Sequence, residues 1–300
     1  MTLRHLEIFL AVFDWGNMRR AAEALYISQP TVSGAVREIE EEYGVLLFER
    51  LNHRLHVTRE GELLASYARR LLALFREMDG TLKSHGEHAS LRIGATLTIG
   101  TCVLPDILQV MKQEPSAPEP VVLVDNTRAI EERIARGELD VGFVEGVIQH
   151  PDLTALPVMD DPLIAVTATP SPSPMTLKDL CAHFPLLMRE PGSGTRAMVE
   201  NLLQGVPYRQ AWVCSNTQAI IRAAEAGLGV AILSRLLAAD SLQAGRLWEI
   251  PLTDCSLNRS FRLVWHKDKF MSPGLLTFCR LCREYADKKG KANASPQVES

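Results

Sequence analysis

The periodicity of the apolar residues changes once along this chain, near residue 90, and that change limits what the chain can fold into. Before it, apolar side chains recur at three- and four-residue steps, the spacing that gathers them on one face of a helix. After it, short apolar runs alternate with helical segments, which implies parallel α/β sheets. A length of 300 residues leaves room for roughly two or three domains with an ample core. Apolar residues make up 46% and charged residues 23%, the balance of a globular protein rather than a disordered, fibrous or disulfide-stapled one. The net charge of −4 at pH 7 gives no overall basic field, so any site for nucleic acid or membrane must be local.

Leu3, Leu6, Phe9, Leu10 and Phe13 share one face of a first helix. After Gly16 and Asn17, the segment Met18–Leu25 carries Ala21, Ala22 and Ala24, small enough for another helix to come close. Ser28 is placed as an N-cap and Pro30 falls in the first turn, so a third helix is predicted to run to about Glu42. The result is a tight helix-turn-helix. Val32, Ala35, Val36 and Ile39 repeat at core spacing, which leaves Gln29, Thr31, Ser33, Gly34 and Arg37 pointing outward. Short polar side chains ending in an Arg suit a helix pressed into the major groove. A polar face of a purely structural bundle is the other reading of that spacing.

Phe48–Leu51 and Leu55–Thr58, separated by Asn52, His53 and Arg54, read as a hairpin wing. Arg50, Arg54 and Arg59 on or beside it would neutralise phosphates. Residues 1–59 hold seven Arg and eight acidic groups, so the basic character is confined to that face, with the acidic cluster 38–42 expected at the far end of the third helix. From Glu60 a helical pattern runs without Pro to about Ser84. Leu64, Ala68, Leu71, Phe75, Met78 and Leu82 follow the heptad alternation of a coiled-coil seam. Such a seam packs within the chain or pairs two copies, and pairing suits a two-fold DNA site. Residues 84–90 are polar enough for a hinge.

Beyond residue 90, Leu91–Ala95, Val121–Asp125, Val141–Val144, Leu163–Ala168, Gln210–Cys214, Val230–Leu233 and Phe261–Trp265 read as strands, with a further one ending near Met188. The run Pro170-Ser171-Pro172-Ser173-Pro174 continues neither strand nor helix, so a second lobe is predicted to begin there and the chain to return to the first lobe after Phe261. A last helix spans Pro273–Lys288, and the polar tail beyond it is expected to be disordered. Ligands of such sheets bind at the carboxyl ends of strands, near helix N-termini. Three junctions of this kind are rich in hydroxyls: Thr96–Ile99, Arg189–Arg196 and Ser215–Thr217. Each offers N–H and hydroxyl donors to a small oxyanion or carboxylate, and each can equally be a simple N-cap. The Gly192–Arg196 run lacks the Gly-Lys-Ser/Thr end of a P-loop, so nucleotide hydrolysis is not expected.

The N-terminus is interrupted by Arg4, His5 and Glu7, and no apolar run approaches the ~18 residues of a membrane span, so the chain reads as cytoplasmic with no membrane partner. Six cysteines are expected as thiols, and Cys279-x-x-Cys282 reads as a helix face. The eight His residues fall in no nucleophile, metal or phosphate motif, so no catalytic residue, metal or cofactor is predicted. An enzyme is disfavoured, and a small-solute-binding protein without a transcriptional role is the remaining alternative.

The segments Arg20–Leu25, Ile27–Ser33, Ile39-Glu40, Gly44–Arg50 and Val57-Thr58, in order and in register, resemble the N-terminal domain of LysR-type transcriptional regulators. The family's plan accounts for about 285 residues. It implies an α+β two-part chain: a winged helix-turn-helix over 1–59, a linker and dimerisation helix over 60–86, and a two-lobed α/β, periplasmic-binding-protein-like effector domain over 90–290. Lobe I would hold about 90–165 and 266–290, lobe II about 166–265, and 291–300 would be the tail. DNA contacts are then expected from Arg19, Arg20, Ser28, Gln29, Pro30, Thr31, Ser33, Gly34, Arg37, Arg50 and Arg54. Gly34 departs from the family, which usually carries a larger, often basic or polar side chain there. This bears on one base or backbone contact, and a mid-helix Gly costs about 1 kcal/mol relative to Ala.

Thr96 and Thr98 match the place where relatives hold their effector. Val124–Thr127, Val141–Gly146 and Pro191–Arg196 are similar to a subgroup that includes sulfite-responsive regulators of sulfur metabolism and activators of carbon-fixation operons. The resemblance implies a small anionic or metabolite effector held by Thr96, Thr98, Ile99, Ser193, Gly194, Thr195 and Arg196, with Asn126, Glu145 and Asn216 beside them. Glu145 is expected to pair with Arg196, a second basic group or a protonated ligand. The other implied partners are double-stranded promoter DNA, a second copy or a tetramer of the chain, and RNA polymerase. A larger organic metabolite is the alternative effector.

Overall fold

A computed structural model describes residues 1–51, 54–83, 90–115, 117–170 and 173–294, in two compact units divided at Ala89/Ser90. In the first unit, α1 (Leu3–Trp15) is capped by the Thr2 hydroxyl, which accepts from the His5 N–H, and it ends at Gly16 in the left-handed region. Asn17 caps α2 (Met18–Leu25), and Ser28 caps α3 (Gln29–Tyr43) by accepting from the Thr31 N–H. Strands β1 (Phe48–Leu51) and β2 (Arg54–Val57) pair antiparallel as the wing, and α4 (Arg59–Lys83) follows. Leu6, Phe9, Val12, Ala21, Val32, Val36, Ile39 and Leu47 close one core with Ala65, Ala68 and Leu72 of α4. Full burial of a large apolar side chain stabilises by about 1.5–3 kcal/mol, so this cluster is what holds α4 to the three-helix unit.

That packing corrects the heptad seam. Ala68 is fully buried within its own unit and so is closed to a second copy, and Leu64 packs partly against the same core. The exposed apolar stripe of α4 is instead Leu63, Tyr67, Leu71, Leu74, Phe75, Met78 and Leu82. The expected hinge over 84–89 lies outside the described residues.

The second unit runs β3 (Leu91–Ala95), α5 (Leu97–Cys102), α6 (Leu104–Met111), β4 (Pro120–Val124), α7 (Thr127–Ala135), β5 (Val141–Glu145) and β6 (Leu153–Thr167). It continues with α8 (Leu177–His183), β7 (Leu186–Arg189), α9 (Gly194–Leu202), β8 (Gln210–Cys214), α10 (Thr217–Glu225), β9 (Val230–Ser234), α11 (Arg235–Gln243) and β10 (Trp248–Ile250). It closes with β11 (Asn258–His266) and α12 (Pro273–Ala294). The strands are ordered β4-β3-β5-β11-β6-β9-β7-β8, with β10 on β6. Outer pairs are parallel, as the β–α alternation requires, but β6 and β11 run antiparallel to each other and to β9 and β5.

These two long strands join the lobes and shift the expected boundaries. Up to Pro162, β6 pairs with β11, and from Leu163 it pairs with β9. The changeovers therefore lie at Pro162/Leu163 and at Asn258, not at 165 and 266. Pro157, Asp160, Asp161 and Pro162 break the apolar run of β6, so only its last residues carry a strand pattern. Likewise α12 continues through Ala294, four residues into the expected tail, because Lys and Ala there are good helix formers. Lobe I packs Ile93, Phe143, Phe261 and Leu263 against α5, α6 and Phe278 and Cys282 of α12. Cys279 and Cys282 both pack in the lobe I core, and this burial pushes the Cys279 thiol to about 11 and that of Cys282 well above its ordinary value, as expected for side chains on a buried helix face.

Candidate functional site

On α3 the side chains of Ser28, Gln29, Pro30, Thr31 and Arg37 are exposed, Ser33 and Gly34 are half-buried, and Val32, Ala35, Val36 and Ile39 face the core. Ser28 Oγ and Thr31 Oγ1 lie 2.8 Å apart, and Ser33 Oγ donates to the Pro30 carbonyl at 3.0 Å, so the first turn is set by its own hydroxyls. Arg20 and Arg37 make no ion pair with any described residue, whereas Arg19 donates to Glu23. Arg50 faces Leu55 and Arg54 faces Leu51 in the wing register, and their side chains lie outside the described residues. Glu40, within the acidic cluster 38–42, accepts from the Leu47 and Phe48 N–H groups at 2.8 and 3.3 Å and so pins the wing to α3.

In the second unit the structure assembles an inner site around Arg259, a residue that the sequence reading did not single out. Its Nε donates to Asp161 Oδ2 at 2.7 Å, Nη1 to Thr195 Oγ1 at 2.7 Å and Nη2 to Thr98 Oγ1 at 3.2 Å, while Nη2 stands 3.0 Å from Glu145 Oε2. Thr195 Oγ1 in turn donates to Glu145 Oε1 at 3.1 Å, and Ser234 Oγ donates to Asp161 Oδ1 at 2.5 Å. All six side chains are buried, with Glu145 at 1% and Arg259 at 6% exposure. Two carboxylates share one guanidinium here. Burial pushes the Asp161 carboxyl above the usual carboxylate range, and the neighbouring Glu145 adds to this against the pull of Arg259.

Of the expected effector residues, Thr98, Glu145 and Thr195 meet in this network. Glu145 pairs with a second basic group, Arg259, and not with Arg196, which donates to Glu200 at 2.7 Å and to the Arg189 carbonyl at 2.9 Å. The Thr96 hydroxyl is buried without a hydrogen-bond partner among the described residues. Ile99 is fully buried in the lobe I core. Asn126 caps α7 by accepting from the Ala129 N–H, and Asn216 caps α10 by accepting from the Gln218 and Ala219 N–H groups. Arg259 and Asp161 carried no signal: each sits in a short polar run, Asn258–Ser260 and Asp160–Asp161, and acquires its role only from partners far along the chain.

A groove of about 830 Å³ opens onto the inner site, lined by Arg259 itself together with Thr127, Arg128, Ser193, Asn258 and Arg262, among others. A Cβ on Gly194 would come within 2.4 Å of the Glu145 carbonyl, so only Gly lets α9 of lobe II approach β5 of lobe I this closely. Glu131 in the groove accepts from the Gln149 and His150 N–H groups, and Glu132 from Arg128 Nε. Arg262 makes no ion pair with a described residue.

The family described as the LysR substrate binding domain matches residues 84–287, and the lysR family of bacterial regulatory helix-turn-helix proteins matches residues 3–62. The chain belongs to the LysR family of transcriptional regulators. This LysR regulator is 33% identical over 287 residues to the uncharacterized HTH-type transcriptional regulator YeiE of Escherichia coli K12, covering 94% of this chain and 97% of that one. It is 29% identical to a probable RuBisCO transcriptional regulator of Cyanidioschyzon merolae, covering 93% and 96%. The crystal structure of full-length CbnR with its target DNA shares the fold, with a TM-score of 0.61 at 23% identity over 95% of this chain and 100% of that one. The LysR regulator described here is thus a transcriptional regulator with an effector-binding domain, not an enzyme, and among its described residues no helix is long and apolar enough to cross a membrane.

Proposed function

We propose that this LysR regulator reads a two-fold promoter site in the cytoplasm with α3 and the wing, and that an anionic effector bound against Arg262 changes how its paired copies sit on that site. The observation that carries the effector reading is Arg262, a cation without an ion-pair partner among the described residues, in an open groove beside Ser193 and Gly194 at the start of α9. The groove's carboxylates are already engaged, Glu131 by backbone N–H groups and Glu132 by Arg128, so an incoming anion meets little competition there. Effector control then requires one quaternary arrangement to bind the anion better than another. Small anions such as sulfite are the first candidates, following the resemblance. The groove's size favours a second reading, an organic metabolite carrying an anionic group, because about 830 Å³ is within the range of drug-sized ligand pockets.

Thermal unfolding against sulfite, sulfate, thiosulfate, phosphate and metabolite carboxylates tests both readings. At 100 times its dissociation constant a ligand adds about 2.7 kcal/mol to the fold it binds. A selective rise that is lost in Arg262→Ala supports the site. A rise retained in Arg262→Ala, or no rise from any anion, removes it. On the DNA side, Arg37→Ala is expected to lower affinity and reduce the salt slope by about one contact, and unchanged binding across several salt concentrations would take Arg37 off the interface. RNA polymerase is the expected further partner at the promoter.

A further inference from the structure

We propose that Glu145 is a tethered anion: its carboxylate fills the inner cleft between the lobes, latches them together and keeps free anions out. The inference goes beyond the groove reading: Arg259 lines the groove as well, but Arg262, on which that reading rests, is not part of this contact. Arg259 from a joining strand donates to Thr98 of lobe I and to Thr195 of lobe II, so its guanidinium is fixed between the lobes. The Thr195 hydroxyl and this guanidinium face the protein's own carboxylate, in the donor set that suits an oxyanion. Thr195 Oγ1 donates to Glu145 Oε1 at 3.1 Å, whereas Oε2 lies 3.0 Å from Arg259 Nη2 as an ion pair and accepts no hydrogen bond among the described residues.

The backbone places this carboxylate as a plug. Glu145 ends β5, and its carbonyl accepts from Thr127 Oγ1 at 2.9 Å, so the residue is fixed from its own lobe. The close approach of Gly194 to that same carbonyl brings α9 of the other lobe, and with it Thr195, onto the side chain. Asp161 takes the remaining edge of Arg259 and is itself held by Ser234, so it serves the joining strand while Glu145 bridges the lobes. With its carboxylate in that position, Glu145 is the residue that decides whether the inner cleft can take a free anion.

Shortening Glu145 should turn the plug into a vacant anion site, which small carboxylates can refill. The experiment measures thermal midpoints of the full chain as wild type, Glu145→Ala and Glu145→Gln against sodium formate, with sodium chloride at matched ionic strength. Glu145→Ala is expected to melt below wild type and to regain midpoint in a saturable way with formate and not with chloride. Glu145→Gln keeps the side-chain volume, so it is expected to melt below wild type and to show no formate-specific gain. Repeating the titration in Arg262→Ala separates the two sites: rescue that persists there belongs to the inner cleft even if the groove reading fails. A Glu145→Ala midpoint equal to wild type, or a loss that formate does not reverse, overturns the proposal. If Glu145→Ala does not fold, recovery of folded chain on refolding with formate supports the plug, and no recovery with formate, or a Glu145→Gln midpoint matching wild type, overturns it.

Discussion

Gly34 stands at an open point of the reading helix, where an added Cβ meets nothing within 4 Å. Its cost is therefore one of backbone entropy alone, and Gly34→Ala is expected to stabilise by about 1 kcal/mol. For a unit of this size that is a rise of roughly 4–8 °C in the midpoint of its transition, which calorimetry of the full chain would resolve. A fall would mean that the helix uses the freedom of Gly34 in the native state. Glu225 makes the opposite case, a single side chain with three donors. Arg246 Nε, Ser241 Oγ and Arg222 Nη1 all reach it at 2.8 Å, tying α10 to α11 and the turn after it. Led by the Arg246 bond, these donors hold its carboxyl down from the usual 4.5 to about 2. A depressed carboxyl contributes stability above its unfolded value, and that contribution is lost as pH falls from about 4.5 to about 2. Glu225→Gln should lower the midpoint at pH 7 and flatten the acid limb over that window, whereas an unchanged limb would show that other groups control it.

At the scale of elements, the wing is held less by its two short strands than by the helix it leans on. Glu40 of α3 accepts two wing N–H groups, and Thr58 Oγ1 donates to the Leu46 carbonyl at 2.6 Å while accepting from the Gly61 N–H at the start of α4. Leaving such donors unpaired costs about 1–3 kcal/mol, enough to loosen the wing without unfolding the helices. Glu40→Ala is thus expected to speed amide exchange at Leu47 and Phe48 and to weaken DNA binding with helix content unchanged. Slow exchange at both amides in the variant would refute this role. The start of α3 was legible in the sequence because its N-cap Ser28 and the helix it serves lie within three residues of one another, whereas the same spacing left open whether Asn216 caps α10 or meets a ligand. The full lengths of β6 and β11 were not, because a strand broken by Pro and Asp keeps its place through neighbours that no local window contains.

At the scale of the molecule, the exposed stripe of α4 is the surface most in need of cover. Leu71, Phe75, Met78 and Leu82 remain open to solvent after the first unit has closed its core. Pairing of two copies along this stripe would bury it and set two reading helices for a two-fold operator. Replacing both Leu71 and Met78 by Glu should shift the chain toward monomer in sedimentation velocity and lower operator affinity, and an undisturbed oligomer would move the interface elsewhere.

The sequence by itself determined the division near residue 90, the helix-turn-helix and the hydroxyl-rich junctions, because caps, turns and periodicity act over a few neighbouring residues. Periodicity states which side chains share a face but not what covers that face, so it could not tell that Leu64 and Ala68 turn inward while Leu71 and Phe75 stay exposed. Nor could it join Arg259 to Thr98, 161 residues away, or set two carboxylates around one guanidinium. Those contacts exist only where long strands carry distant residues into one buried volume, where a charge must find its partner because water cannot supply one.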